Sequence, residues 1–243
     1  MKAVLRWLTL CLLALAALQL FFLLRIATMA VLAPESTSVQ RSQMWQVLQR
    51  QGRLPWRQDW VALPDISKHL QRAVIASEDD LFASHAGIRW DALEKAWDKN
   101  ARAQARADRQ TSQRPGKPAA ARVVGGSTIT QQLAKNLFLS GERTLWRKGQ
   151  EALIAWMLEA CLPKARILEI YLNSVEWGEG VFGAEAAARH YFRKPASQLG
   201  PWEAARLAVM LPRPRYFEKL PESAYLAERS NVIMARMGAV VLP

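Results

Sequence analysis

Apolar positions along this chain fall into one unbroken run and then a succession of helix-period stripes. No charged residue occurs from Trp7 to Leu24, and a second apolar run, Ile26 to Ala33, follows Arg25. That length predicts a helix able to cross a bilayer. A cleaved leader has a shorter apolar region and a small-x-small cleavage site, and Thr28-Met29-Ala30 is a poor one, so the run predicts an uncleaved anchor. Arg25 either snorkels to the membrane surface or marks a span that ends near Leu24. Beyond the anchor the period is helical. A helix is predicted from Pro64-Asp65 with Ile66, Leu70, Ala73 and Val74 on one face. A second runs from Ile129 to Leu139 and stops near Gly141. A third, Trp146 to Leu162, carries Leu153, Ile154, Met157, Leu158 and Cys161 as its stripe and ends before Pro163. Ala165 to Asn173, Ala184 to Phe192 and Trp202 to Leu211 complete the set. Strand alternation is scarce and no internal repeat appears.

Two stretches do not fit this scheme. Met44 to Leu63 sets Trp45, Val47, Leu48, Leu54, Trp56, Trp60 and Val61 among arginines, which suits either a lip dipping into the membrane interface or ordinary core packing. Asp98 to Arg122 is rich in Ala, Arg, Gln and Ser with no apolar period and is expected to be a mobile, solvated loop.

Charge narrows the partners. The net charge is +12 and there are ten tryptophans, a combination compatible with nucleic acid, with phospholipid or with a lipid diphosphate. Lys2 and Arg6 precede the span, so the N-terminus should stay in the cytoplasm and the body outside it. An exported domain meets lipid headgroups, which argues against nucleic acid. About 210 residues of the 243 follow the anchor, enough for one domain or two lobes sharing a core. The two cysteines are Cys11, in the anchor, and Cys161, so no structural disulfide is expected.

Candidate chemistry is concentrated in Gly125-Gly126-Ser127-Thr128-Ile129-Thr130-Gln131-Gln132-Leu133-Ala134-Lys135-Asn136. The glycines allow a tight turn, and Thr128 and Gln131 stand at capping-box spacing. Gln132, Lys135 and Asn136 then share a helix face beside an N-terminus, an arrangement suited to anionic oxygens. No Gly-Lys-Ser/Thr follows, which excludes a nucleotide phosphate loop. Upstream lies Glu78-Asp79-Asp80-Leu81-Phe82-Ala83-Ser84-His85-Ala86-Gly87. Glu78 falls one turn after Val74, on the apolar side of its helix. Burial there, with Asp79 and Asp80 adding like charge, would raise its pKa and make it a proton acceptor near neutrality. Downstream, in Arg147-Lys148-Gly149-Gln150-Glu151, the two cations sit four and three residues before Glu151 and can hold it as a carboxylate; by spacing alone this is a helix-surface ion pair. His85 could be a metal ligand or a structural histidine, and the absence of His-Glu-x-x-His or cysteine clusters favours the latter. Tyr171 and Asn173 are expected to pack and cap in the core.

These blocks, with Lys164-Ala165-Arg166-Ile167-Leu168-Glu169-Ile170-Tyr171-Leu172-Asn173 and a fifth from Gly183 through Ala186-Ala187, Tyr191-Phe192, Lys194, Leu199 and Glu203 to Leu207-Ala208, occur in an order that resembles the peptidoglycan glycosyltransferase family, in its monofunctional, membrane-anchored form. The resemblance spans about Ile66 to Pro214. No Ser-x-x-Lys tetrad of an acyl-serine transpeptidase is present. The resemblance implies an all-α, lysozyme-like, two-lobed domain. It divides the chain into an anchor (1–33), a membrane-proximal lip (34–64) and a glycosyltransferase domain (65–243). The implied reaction is inverting polymerisation of lipid II into β-1,4-linked glycan with release of polyprenyl diphosphate, on the periplasmic side of a bacterial inner membrane. It makes Glu78 the base and Glu151 the second required glutamate. Lys135 and Arg143 would hold the diphosphate, Ser127, Thr128 and Gln132 would orient the substrate, and Arg147 and Lys148 would sit near the donor. The one cofactor candidate is a divalent cation, Mg or Mn, at the diphosphate, which Glu151 with Arg147 and Lys148 would hold if they do not simply sit near the donor. The partners implied are lipid II, the growing strand and the bilayer, with other wall-synthesis or division proteins. Two rivals fit part of the pattern. A peptidoglycan-cleaving lytic enzyme would also use a buried Glu but needs no diphosphate site, and a non-enzymatic membrane scaffold would tolerate loss of Glu78.

Overall fold

The computed structural model describes residues 2–52, 56–91, 94–95, 98–99, 101–103, 105, 126–140, 142 and 144–243. It is mostly helical, as the apolar periods predict. A 27-residue helix, α1 (Lys2–Thr28), opens the chain and is long and apolar enough to cross a membrane. α2 (Ser38–Gln51) follows, started by a capping box between Thr37 and Gln40 and closed by Gly52 in the left-handed region. Then come α3 (Lys68–Glu78), α4 (Ile129–Phe138), α5 (Leu145–Cys161), α6 (Lys164–Ser174), α7 (Ala184–Phe192), α8 (Pro201–Met210), the short α9 (Pro214–Glu218) and α10 (Ala224–Met237).

α3 starts later than its apolar period suggests. Leu63–Asp65 form a separate 3-10 turn, and Ser67 caps α3 by accepting a hydrogen bond from the His69 N–H. α4 begins as its sequence dictates: Thr128 and Gln131 form the reciprocal capping box. It ends at Phe138, before Gly141, when Leu139 turns extended. The expected loop from Asp98 to Arg122 is overturned at its start, where Asp98, Lys99, Ala101, Arg102, Ala103 and Ala105 are helical; the Ala-rich composition favours a helix without any core-facing stripe. Residues 106–122 of that segment lie outside the described residues.

Three short strands, β1 (Arg57–Gln58), β2 (Glu176–Gly178) and β3 (Val181–Phe182), form a sheet in the order β1-β3-β2. β1 pairs parallel with β3, Arg57 opposite Val181, and β2 pairs antiparallel with it. The chain then turns into α7 at Gly183, where φ is +84° and an added Cβ would lie 2.7 Å from the Asn173 carbonyl oxygen.

One apolar core runs through the molecule. α3, α8 and α10 pack together in one group, and α4 packs on α2, α5 and α6 in another. α6 is buried along most of its length, and its Asn173 ties the β1–α3 connection down by accepting from the Val61 N–H and donating to the Val61 and Glu169 carbonyls. Both cysteines are free.

The residues named for a membrane lip divide. Val47 is buried, Trp56 packs on Phe182 at 4.7 Å, and Trp60 and Val61 lie against the core, whereas Trp45 and Leu48 are exposed. Leu54 lies outside the described residues. A larger exposed apolar stripe sits on α5, where Trp146, Leu153 and Trp156 follow one face.

The C-terminal part of α1 belongs to the core. Phe22, Ile26 and Met29 are buried, Phe22 meets Phe138 edge to face at 5.2 Å, Gln19 and Gln150 exchange amide hydrogen bonds, and Arg166 donates to the Met29 carbonyl. Each such side chain contributes about 1.5–3 kcal/mol by burial. A chain beginning at Ala33 is therefore expected to melt several degrees below one beginning at Leu18 in the same detergent, and equal melting temperatures would count against this packing.

Candidate active site

The site forms where the C-terminus of α3 meets the N-terminus of α4. α3 delivers Glu78 in its last turn, and Asp79 caps it. Asp79 is buried and its Oδ2 accepts from the Ile129 N–H at 3.1 Å, the first orphan donor of α4. His85 holds the same carboxylate through Nε2 at 2.9 Å, while its Nδ1 accepts from the Gly87 N–H. That pair of bonds puts the ring proton on Nε2 and makes His85 a structural tie. Thr128 donates to the Gly87 carbonyl at 2.5 Å, and a Cβ on Gly87, whose φ is +84°, would come within 2.8 Å of Glu159. The turn after Glu78 is thus locked to the start of α4. Asp80 departs from expectation. It is exposed and pairs with Arg89 at 2.6 Å, so only Asp79 adds like charge at Glu78.

Glu78 itself is partly buried, and its Oε2 accepts from Gln132 Nε2 at 2.8 Å. Gln132 Oε1 in turn accepts from the Tyr171 hydroxyl at 2.9 Å. Tyr171 is fully buried on α6, and burial pushes its phenol well above its ordinary value, so it stays a donor. A hydroxyl that must donate fixes which way the Gln132 amide points, and hence that its NH₂ faces Glu78. Burial raises the Glu78 pKa; the Gln132 bond lowers it, Asp79 raises it and Lys135 lowers it.

A second cluster stands on α5. Glu151 is buried, with Oε2 accepting from Arg147 at 2.9 Å and Oε1 held by Lys148. Lys148 also donates to Ser127 Oγ at 3.0 Å, which draws the segment before α4 toward α5. Lys135, on α4, makes no hydrogen bond or ion pair among the described residues and is the cation left available. Burial lowers its pKa, Arg147 and Lys148 lower it further, and Glu151 and Glu78 oppose them. Lys135 thus feels both carboxylates and lies between the two clusters.

Of the residues singled out in the sequence, Glu78, Ser127, Thr128, Gln132, Lys135, Arg147, Lys148 and Glu151 converge here; Thr128 is spent as the cap of α4. Arg143 lies outside the described residues. Asp79 and Tyr171 are the participants that periodicity did not single out for the site. Among the described residues no three His, Cys, Asp or Glu side chains come together as a metal site.

The family model for transglycosylases matches residues 46–238, which takes in both clusters. The chain belongs to the transglycosylase family. It is 52% identical over 227 residues to a biosynthetic peptidoglycan transglycosylase of Burkholderia thailandensis, covering 93% of this chain and 82% of that one. A protein of the same name from Burkholderia ambifaria is also 52% identical, with 86% of its length covered, and one from Burkholderia vietnamiensis is 51% identical over the same span. Family membership gives the two glutamates a context that spacing alone does not. Glu151 on spacing is a helix ion pair, but it is buried and joins two cations that face the same space as Lys135.

Proposed function

We propose that this chain polymerises lipid II into β-1,4-linked glycan, with its body on the outer side of a bacterial cytoplasmic membrane and α1 as the anchor. The observation that carries the mechanism is the oriented Tyr171–Gln132–Glu78 chain beside an unpaired, partly buried Lys135. Glu78 takes the proton of the acceptor 4-hydroxyl. The acceptor oxygen bonds to the donor sugar C1 from the face opposite the diphosphate, the C1–O bond to the diphosphate breaks, and the configuration inverts. Lys135 meets the charge that grows on the departing diphosphate; the part the resemblance gives Arg143 falls on a position outside the described residues. Glu151 positions Arg147 and Lys148, and through Lys148 the Ser127 hydroxyl. Both Glu151 oxygens are already held by these cations, so no step is assigned to a divalent cation. A lytic enzyme would have no use for Lys135 in this place. Incubating the full chain with labelled lipid II in vesicles, and in parallel with finished sacculi, separates the two: polymer from the first supports the proposal, and cleavage of the second without polymer rejects it.

The membrane-facing surface follows from the same packing. α5 lies beside α1, so its exposed Trp146, Leu153 and Trp156 continue the apolar surface of the anchor.

Tyr171→Phe tests the positioning of Gln132. Without the hydroxyl the Gln132 amide can turn its oxygen toward Glu78. The loss of one buried hydrogen bond predicts a fall of about two- to tenfold in kcat with little change in KM. Because donation from Gln132 lowers the Glu78 pKa, the acidic limb of the kcat/KM profile should move to higher pH. A uniform loss of rate with an unmoved acidic limb would reduce Tyr171 to core packing.

A further inference from the structure

Two cavities meet where α1 leaves the body, far enough along the chain to be built by parts that the proposed chemistry does not use. The inner one, about 230 Å³, is walled by Phe21, Phe22, Leu137 and Phe138; the outer one, about 360 Å³, continues past Thr28, Leu32 and Glu35. Both share Arg25, Met29, Ser36 and Arg41. None of Glu78, Gln132, Lys135, Arg147, Lys148 or Glu151 lines either.

The two arginines are placed differently and are both available. Arg41 Nη1 donates to the Ser36 carbonyl at 3.1 Å and to Ser36 Oγ at 3.0 Å, which fixes its guanidinium at the mouth while Nε and Nη2 have no partner among the described residues. Arg25, in the last turn of α1, has no side-chain hydrogen bond or ion pair among the described residues. Glu35 on the outer rim is the one carboxylate lining the space, and it is bonded to neither arginine. Phe21 and Leu32 are exposed at the sides, so the groove opens laterally, where lipid would lie. Arg25 stands ~27 Å along the helix from Trp7 at 1.5 Å per residue. A hydrocarbon core is ~30 Å thick, so Arg25 falls at the depth of the headgroups.

We propose that this groove binds the phosphodiester of an anionic bilayer phospholipid, with Arg25 and Arg41 on the phosphate and one acyl chain along Phe21, Phe22 and Phe138. The proposal rests on α1 spanning the membrane. Two guanidiniums over an aromatic floor match a phosphate above an acyl chain, and the second cation discriminates a net negative lipid from a zwitterionic one. The occupant is a bilayer lipid and not the polyprenyl diphosphate, because Lys135 and the Glu151 cluster line no part of the groove.

Native mass spectrometry of the full chain, released from micelles holding equal phosphatidylglycerol and phosphatidylcholine of different mass, reads the preference directly. The wild type should retain one phosphatidylglycerol in preference to phosphatidylcholine. Arg25→Gln should lower that preference about fivefold and the Arg25→Gln/Arg41→Gln pair about thirtyfold. Arg41 also braces the Ser36 turn, so if the pair loses helical circular dichroism, Arg25→Gln alone decides the matter. Equal retention of both lipids by the wild type, or an unchanged preference in Arg25→Gln, would overturn the proposal. Adding undecaprenyl diphosphate should leave the phosphatidylglycerol in place; one-for-one displacement would give the groove to the substrate and overturn it too. Flotation with pure phosphatidylcholine vesicles keeps the anchoring separate. Failure of the wild type to float removes the anchor and this proposal with it, whereas flotation without lipid preference removes this proposal alone.

Discussion

Glu78→Gln should lower polymerisation by about 10²–10⁴-fold, the range typical for loss of a general base, while lipid II still binds. The amide keeps the shape of the carboxyl and can still accept from Gln132, but it cannot take the acceptor proton. Stability should move the other way. Burial raises the Glu78 pKa in the folded chain, so the contribution this group makes to stability is fully present below the unfolded value of 4.5 and is lost as pH rises through the folded value. At neutral pH the wild type therefore carries the cost of a desolvated carboxylate that the glutamine variant does not. Glu78→Gln should melt higher than the wild type at pH 7–8, with the difference vanishing below about pH 4.5. An inactive variant that is also destabilised at neutral pH would mean that Glu78 is a structural ion and not a buried base.

The second large effect is expected at Lys135. Its charge is not consumed by any ion pair among the described residues, it is partly desolvated, and it stands between the base and the Glu151 cluster. A preorganised cation at developing charge contributes about 3–4 kcal/mol to the transition state, so Lys135→Ala should cost on the order of 10²–10³-fold. Because the diphosphate gains charge as it leaves, the loss should fall mainly on kcat. Lys135→Arg should recover part of the rate by restoring charge, though not fully, since a planar fork replaces a point charge. A change confined to KM in Lys135→Ala would assign Lys135 to uniform substrate binding and remove its role toward the leaving group.

The helices that carry the site were legible because their signals are local. The Thr128–Gln131 capping box marks the start of α4, and α7 runs from Ala184 to Phe192 as its apolar period predicts. Besides the five-residue α9, two helices escaped for different reasons. α2 carries the same Ser/Thr-x-x-Gln signature at Thr37 and Gln40, but its Gln- and Arg-rich body hides the apolar face, and a tryptophan among arginines suits a membrane interface as well as a helix. α10 buries Leu226, Ser230, Ile233 and Met237 at helical spacing, and the polar Ser230 interrupts the apolar period of that stripe. The sheet was out of reach, because strands of two or three residues show no alternation.

The site divides in the same way. Glu151 with Arg147 and Lys148 is a spacing argument, and the three side chains meet as the spacing requires. Asp79 at the head of α4 and Tyr171 behind Gln132 depend on which helices pack together, and no local pattern announces that. The division of the anchor from the body shows the same limit. The apolar run ends in the sequence near Ala33, but Phe22, Ile26 and Met29 are buried where α1 meets α4, α5 and Arg166 of α6. An apolar residue facing lipid and one facing a core read alike in one dimension.

The most direct measurement is a single gel. Purified full-length wild type and Glu78→Gln are incubated with labelled lipid II in bilayer vesicles, with bound lipid II measured on the same samples. The account predicts a ladder of glycan strands from the wild type and none from Glu78→Gln at equal bound lipid II. A wild type that binds lipid II without extending it, or a Glu78→Gln variant that keeps more than about a tenth of the wild-type rate, would contradict it.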